Sequence, residues 1–160
     1  MRSFKVLTVC LGNICRSPAA QGILENIATT QQLHLELDSA GTAAYHIGNP
    51  PDSRSISALR KVGIDISGQK ARQVRVVDFH EFDWILAMDR ANLANLRKIQ
   101  PEDSSAKVVM FGEFNEQANF GEVDDPYYGG TEGFACMREH LTDIANAFVL
   151  HLNSKDNTNR

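Results

Sequence analysis

What most constrains this chain is a regular alternation of strand-like and helix-like signals along nearly its whole length. Phe4 to Cys10 (FKVLTVC) is a short apolar, β-rich run, the pattern of a buried strand. Ser17-Pro18 reads as a helix start, with Ser at the cap and Pro at the first helical position. That helix runs to about Thr30, with Ile23, Leu24 and Ile27 on one face. Leu33 to Ala40 sets Leu33, Leu35 and Leu37 against His34, Glu36 and Asp38, the period of two of a strand. Asp52 or Ser53 caps a helix carrying Ile56, Leu59 and Val62, and Gly63 ends it. Trp84 to Met88 is a third strand, followed by Asp89 as the cap of a helix faced by Leu93, Leu96 and Ile99 and stopped by Pro101. Lys107 to Phe111 is a fourth strand. Phe134, Met137, Leu141, Ile144 and Phe148 form a helical stripe.

This alternation implies an α/β fold: one domain over residues 1–152, built on a four-stranded parallel sheet with helices on both faces. The segment 153–160, NSKDNTNR, is expected to be a disordered tail. A net charge of −4 argues against a broad nucleic-acid or anionic-membrane surface, though not against one local anion site. No apolar run approaches the roughly 20 residues of a membrane span. The first residues, MRSFKVLTVCLGN, are too briefly apolar for a signal peptide, so the expected compartment is the cytoplasm. The three cysteines, Cys10, Cys15 and Cys136, are too few for a disulfide framework and are expected to be free thiols.

Parallel sheets bind ligands at the carboxyl ends of their strands, and the first such end is the loop after Cys10. Leu11, Gly12, Asn13, Ile14 and Cys15 separate Cys10 from Arg16. Gly12 and Asn13 tolerate left-handed backbone angles, so the loop can curl and point successive N–H groups inward as an anion nest. The helix opening at Ser17 adds its positive end. Arg16 can grip two phosphate oxygens in a planar fork. In such surroundings Cys10 is expected to be a thiolate, making the loop a phosphate cradle with a sulfur nucleophile at its base. Taken alone, Cys10 would be a small buried hydrophobe; with Gly12, Asn13, Arg16 and Ser17-Pro18 in register, the cradle is the better reading. Ser17 can cap the helix, donate its hydroxyl to the Cys10 sulfur, or do both.

The run from Val9 to Pro18, VCLGNICRSP, closely resembles the active-site loop of the low-molecular-weight protein tyrosine phosphatases. The likeness continues in that family's order through Asp38-Ser39-Ala40-Gly41-Thr42, Ala71-Arg72-Gln73, Ala87-Met88-Asp89 and Asp125-Pro126-Tyr127-Tyr128-Gly129. The resemblance implies a phosphotyrosine phosphatase working through phosphocysteine, with Cys10 as nucleophile, Arg16 as phosphate clamp and Asp125 as general acid and then base. Asp124 is the adjacent competitor; residue chemistry alone leaves the pair open, and the resemblance favours Asp125. It further implies that Tyr127 and Tyr128 form one wall of an aryl slot, with Tyr45 opposite. By the same resemblance Asn13 and Ser39 belong to a network supporting the loop, and Asp89 lies near Arg16. Many members carry His two residues before Ala-Arg-Gln, where this chain has Gln69. The expected partners are phosphotyrosine proteins, with phosphate or other oxyanions in the loop.

Cys15 shares the loop with Cys10, and oxidation is expected to join them reversibly. Cys136 is expected on or near the buried stripe of the last helix. The five histidines show no metal-ligand spacing and there is no Gly-x4-Gly-Lys loop, so no metal, nucleotide or other cofactor is expected. Two alternatives remain at this level. An arsenate reductase on the same scaffold needs a relay of further cysteines, and none lies between Cys15 and Cys136. A cysteine phosphocarrier would need neither Arg16 nor a general acid.

Overall fold

The computed structural model describes residues 3–115 and 121–158. Its strands are β1 (Ser3–Cys10), β2 (His34–Gly41), β3 (Trp84–Ala87) and β4 (Lys107–Met110). Its helices are α1 (Arg16–Thr30), α2 (Ser53–Arg60), α3 (Asp78–Glu81), α4 (Arg90–Ile99) and α5 (Thr131–Thr158), with a 3-10 turn over Phe111–Phe114. The four strands pair in parallel in the order β2-β1-β3-β4. The chain leaves β1 toward β2 on one side and later returns to β3 on the other. The carboxyl end of β1 is therefore the switch point of the sheet, where such folds open a crevice.

The pleat of β1 splits the core. Val6 and Cys10 face a cluster with Ala19, Ile23 and Leu24 of α1, Leu59 of α2 and the α5 stripe. Leu7 and Val9 face the opposite cluster, with Phe79 of α3 and Leu96 of α4. Phe134, Met137, Leu141, Ile144 and Phe148 are all buried as their spacing requires. Burying one such side chain is worth about 1.5–3 kcal/mol, so α5 is anchored many times over.

Several local expectations are corrected. Ser17 does not cap α1: the helix begins at Arg16, Cys15 takes the cap position without a side-chain bond, and Ser17 is buried inside the first turn. Of the two cap candidates for α2 the structure selects Asp52, which accepts from the Arg54 N–H. Val62 and Ile99 are exposed at 52% and 45%: α2 stops at Arg60, before Val62, and Ile99 is the last residue of α4. Cys136 is exposed. At about 100° per residue it stands on the far side of α5 from Phe134, away from the stripe. Residues 153–158, expected in a disordered tail, continue α5, because Leu152 is still buried and the helix propagates past its last core contact. Residues 159–160 of that segment lie outside the described residues.

Candidate active site

The β1–α1 loop curls as its composition demands. Asn13 adopts a left-handed φ of 59°, and Gly12 lies so close to His46 that a Cβ there would stand 2.9 Å from the imidazole. Loop carbonyls are turned outward: Thr42 N–H donates to Cys10 O and Ala43 N–H to Leu11 O. That close approach leaves no room at Gly41, where a Cβ would meet Leu11 O at 2.7 Å.

Behind the loop, Asn13 donates from Nδ2 to Ser17 Oγ at 2.8 Å and Ser39 Oγ at 2.9 Å, while its Oδ1 accepts from the Arg72 N–H at 3.0 Å. Ser17 Oγ lies 3.0 Å from Cys10 Sγ. Gln69 joins this network, donating to Pro18 O at 3.1 Å and facing Ser39 Oγ at 3.4 Å. A neutral amide thus links Ser39 to the start of α1.

Arg16 is 3% exposed. Its Nη1 donates to Asp89 at 2.7 Å and Val123 O at 3.0 Å, and its Nη2 lies 3.6 Å from Asp125 Oδ2. Burial works against its charge, but Cys10, Asp89 and Asp125 more than offset this and hold the guanidinium above its ordinary pKa. Asp89 also caps α4 through the Asn92 N–H, so one carboxylate fixes both a helix start and the clamp. Burial, reinforced by the charges of Asp52, Cys10 and Asp125, pushes the Cys15 thiol far up. Cys15 therefore stays protonated.

A cavity of about 110 Å³ opens over this floor. Cys10, Leu11, Gly12, Ile14, Cys15 and Arg16 line its base, and Tyr45, His46, Asp125, Tyr127 and Tyr128 its sides. Asn13, Ser17 and Ser39 lie behind the loop rather than in the cavity. Asp125 lines the cavity whereas Asp124 does not. The Asp125 side chain is 38% exposed and accepts from the Tyr127 N–H at 3.1 Å. Tyr127 and Tyr128 meet edge to face at 5.0 Å. Tyr45 and Tyr128 are 74% and 92% exposed, so the upper walls are open.

Two residues, one lining the cleft and one beside it, carry no signal in the sequence. His46 sits between the walls, its ring 6.4 Å from both Tyr45 and Tyr127. Arg54 ties down the segment that carries Asp125, donating to Tyr127 O at 3.0 Å and Gly129 O at 3.1 Å while paired with Asp52 at 2.9 Å. Its partners at 127 and 129 are remote in sequence, and nothing local marks it. Among the described residues no group of three or more His, Cys, Asp or Glu is placed to hold a metal ion.

Comparison with known proteins agrees with this geometry over almost the full chain. The family model described as "Low molecular weight phosphotyrosine protein phosphatase" matches residues 5–158. The phosphatase of that name from Schizosaccharomyces pombe is 42% identical over 151 residues, covering 92% of this chain and 96% of its own. A putative low molecular weight protein-tyrosine-phosphatase from Synechocystis is 45% identical over 143 residues, covering 88% of each chain. The crystal structure of a protein tyrosine phosphatase from Entamoeba histolytica with Hepes in the active site superposes with a TM-score of 0.90 at 36% identity, covering 96% of this chain and 99% of that one. The chain belongs to the low-molecular-weight phosphotyrosine protein phosphatase family.

Proposed function

We propose that this protein hydrolyses phosphotyrosine in proteins, and simpler aryl phosphates, through a phosphocysteine intermediate. One observation carries the reading: Cys10 and Arg16 at the base of one cavity and Asp125 on its wall, with Asp125 3.6 Å from the clamp and Ser17 3.0 Å from the sulfur.

The phosphate seats in the curled loop on inward N–H groups and the Arg16 fork. The Cys10 thiolate attacks phosphorus. The S–P bond forms as the ester P–O bond breaks, and the Asp125 carboxylic acid gives its proton to the departing phenolic oxygen. The Ser17 hydroxyl and the start of α1 hold the sulfur's negative charge when it is the leaving group. Water then attacks phosphorus, the Asp125 carboxylate takes the water's proton, and the S–P bond breaks to release phosphate and restore the thiolate. Arg16 stabilises the charge on the equatorial oxygens in both steps.

Tyr45 and Tyr127 flank the entrance, which suits an aryl ring that buries apolar area between them. The Hepes in the Entamoeba relative carries a sulfonate, a tetrahedral anion like the phosphate proposed here. The arsenate-reductase alternative is disfavoured, because Cys136 lies exposed on α5 and does not line the cavity holding Cys10 and Cys15. Free cysteines suit a reducing compartment, the cytoplasm.

The test is hydrolysis of p-nitrophenyl phosphate and of a phosphotyrosine peptide without added metal, with acid quenching to trap a phosphocysteine. Turnover with label on Cys10 is expected. Turnover without a Cys10 adduct overturns the mechanism, and no turnover of either ester overturns the function.

A further inference from the structure

The hydrogen bonds behind the loop have a direction, and it is set outside the cleft. An amide N–H can only donate, so Ser17 Oγ accepts from Asn13 Nδ2 and its own hydrogen is left for the Cys10 sulfur at 3.0 Å, with the Ala40 carbonyl a more distant acceptor at 3.5 Å. Which end of the Asn13 amide faces Ser17 is decided at the opposite end, where the Arg72 N–H tolerates only an acceptor and meets Oδ1 at 3.0 Å. The donor chain therefore runs from the Arg72 peptide through Asn13 and Ser17 to Cys10.

Residue 72 is held on every side. Its guanidinium donates to Asp78 from Nη1 at 2.9 Å and Nη2 at 3.2 Å, and to Asp38 from Nε at 3.0 Å. Its carbonyl accepts from the Gly41 N–H at 2.8 Å. Asp78 is fully buried and also accepts from the Arg75 N–H at 2.8 Å. Burial opposes the charge on Arg72, but Asp78 and Asp38 more than offset it. Neither Asp78 nor Arg72 lines the cavity.

We propose that Asp78 is a positioning residue for the phosphatase reaction: by gripping Arg72 it fixes the peptide N–H that orients Asn13, and so keeps the Ser17 hydroxyl donating to the Cys10 sulfur. This rests on the phosphocysteine mechanism proposed above. Ser17 acts on sulfur as nucleophile and leaving group, whereas phosphate is held by the loop N–H groups and Arg16. Loss of Asp78 therefore lowers kcat and spares phosphate affinity.

Asp78→Asn keeps the shape but places an NH2 where Arg72 or the Arg75 N–H must donate. The expected loss in kcat is about tenfold, the low end for a hydrogen bond to a charged group, with inhibition by inorganic phosphate changed less than about twofold. In a Ser17→Ala background the chain has already lost its last link, so adding Asp78→Asn costs less than about twofold further. A merely structural role makes the two losses multiply, and that outcome overturns the proposal. A rise in the phosphate inhibition constant in step with the fall in kcat overturns it too. If thermal melts show Asp78→Asn unfolded, Arg72→Lys carries the same cycle, since it keeps the cation and the peptide N–H but loses the fork. Failure of the underlying mechanism is read separately, as Cys10→Ser retaining turnover.

Discussion

Cys10 and Arg16 on the floor of the cleft, and Asn13 directly behind it, each expose 3% of their surface, whereas Tyr45 and Tyr128 at the rim expose 74% and 92%. The floor is over-determined. Its asparagine makes three hydrogen bonds, and its arginine is matched by a carbonyl and two carboxylates. The segment carrying Asp125 and Tyr128 is open to solvent on one side and tied to the body by Arg54. The difference follows from what each half meets. Every substrate presents the same tetrahedral dianion to the floor, which is best met by a prebuilt site. The rim meets whatever phenol or peptide is attached, and a fixed wall would exclude most of them.

If the floor performs the chemistry, its nucleophile should show the largest effect. Cys10→Ser should abolish turnover while phosphate or vanadate binding stays largely intact, because a serine hydroxyl is hardly ionised at neutral pH. Activity within about tenfold of wild type, measured on p-nitrophenyl phosphate, would sink the phosphocysteine route. Next comes the clamp. Arg16→Lys should lose at least ~100-fold in rate and also weaken binding, since an ammonium cannot make the two-toothed contact. A lysine variant that kept most activity would remove Arg16 from the floor's machinery.

The rim is probed through the leaving group. A phenol with a pKa near 10 departs poorly without a proton, and an activated nitrophenol departs readily. Single-turnover rates across a phenol series should depend weakly on phenol pKa in wild type and steeply in Asp125→Ala. Equal slopes would clear Asp125 of proton transfer, and steepening in Asp124→Ala instead would move the assignment by one residue.

Arg54→Ala sharpens the contrast further. It leaves the floor intact and frees the segment carrying the acid, so a few-fold loss confined to poor leaving groups is expected, the modest scale of a partly exposed ion pair. A uniform loss across the series would mean that Arg54 supports the floor instead. Its partner Asp52 is held below the usual carboxylate range chiefly by the Arg54 side-chain hydrogen bond. A depressed carboxylate stabilises the fold above its unfolded value of about 3.9, and the contribution disappears as pH falls through the lower folded value. The Tm gap between wild type and Asp52→Asn should therefore be full at neutral pH and close below about pH 4.

The smallest effect appears only under oxidant. Cys15→Ser should leave resting turnover nearly unchanged but make peroxide inactivation less reversible, because Cys10 would then climb the oxidation ladder without a neighbour to trap it. Peptide mapping that finds no Cys10–Cys15 crosslink in mildly oxidised wild type rejects the exchange.

The assembly of the floor was legible in the sequence because it is nearly contiguous: Cys10, Gly12 and Arg16 fall within seven residues, and the curl of the loop brings them to the base of one cavity. The strand alternation was legible for the same local reason. His46, Arg54 and Asp78 were not, because each acquires its role from a partner the fold brings in. Arg54 meets the carbonyls of Tyr127 and Gly129, and the chain of bonds through Asp78 ends on Asn13. Ser17 was half legible: Ser-Pro is a helix-start signal, but helix turning began at Arg16 and left the hydroxyl to the sulfur. Cys136 was misread because a stripe was extended to a residue off its face.

The outward-turned carbonyls of Cys10 and Leu11 have a consequence for the resting protein. With those acceptors engaged by the Thr42 and Ala43 N–H groups, two carbonyl oxygens that would repel an anion already have other partners. A receptacle that waits in its final shape does not distinguish the phosphate of an incoming ester from the phosphate it has just released. On the mechanism proposed above, released phosphate should therefore compete with the ester for the same seat.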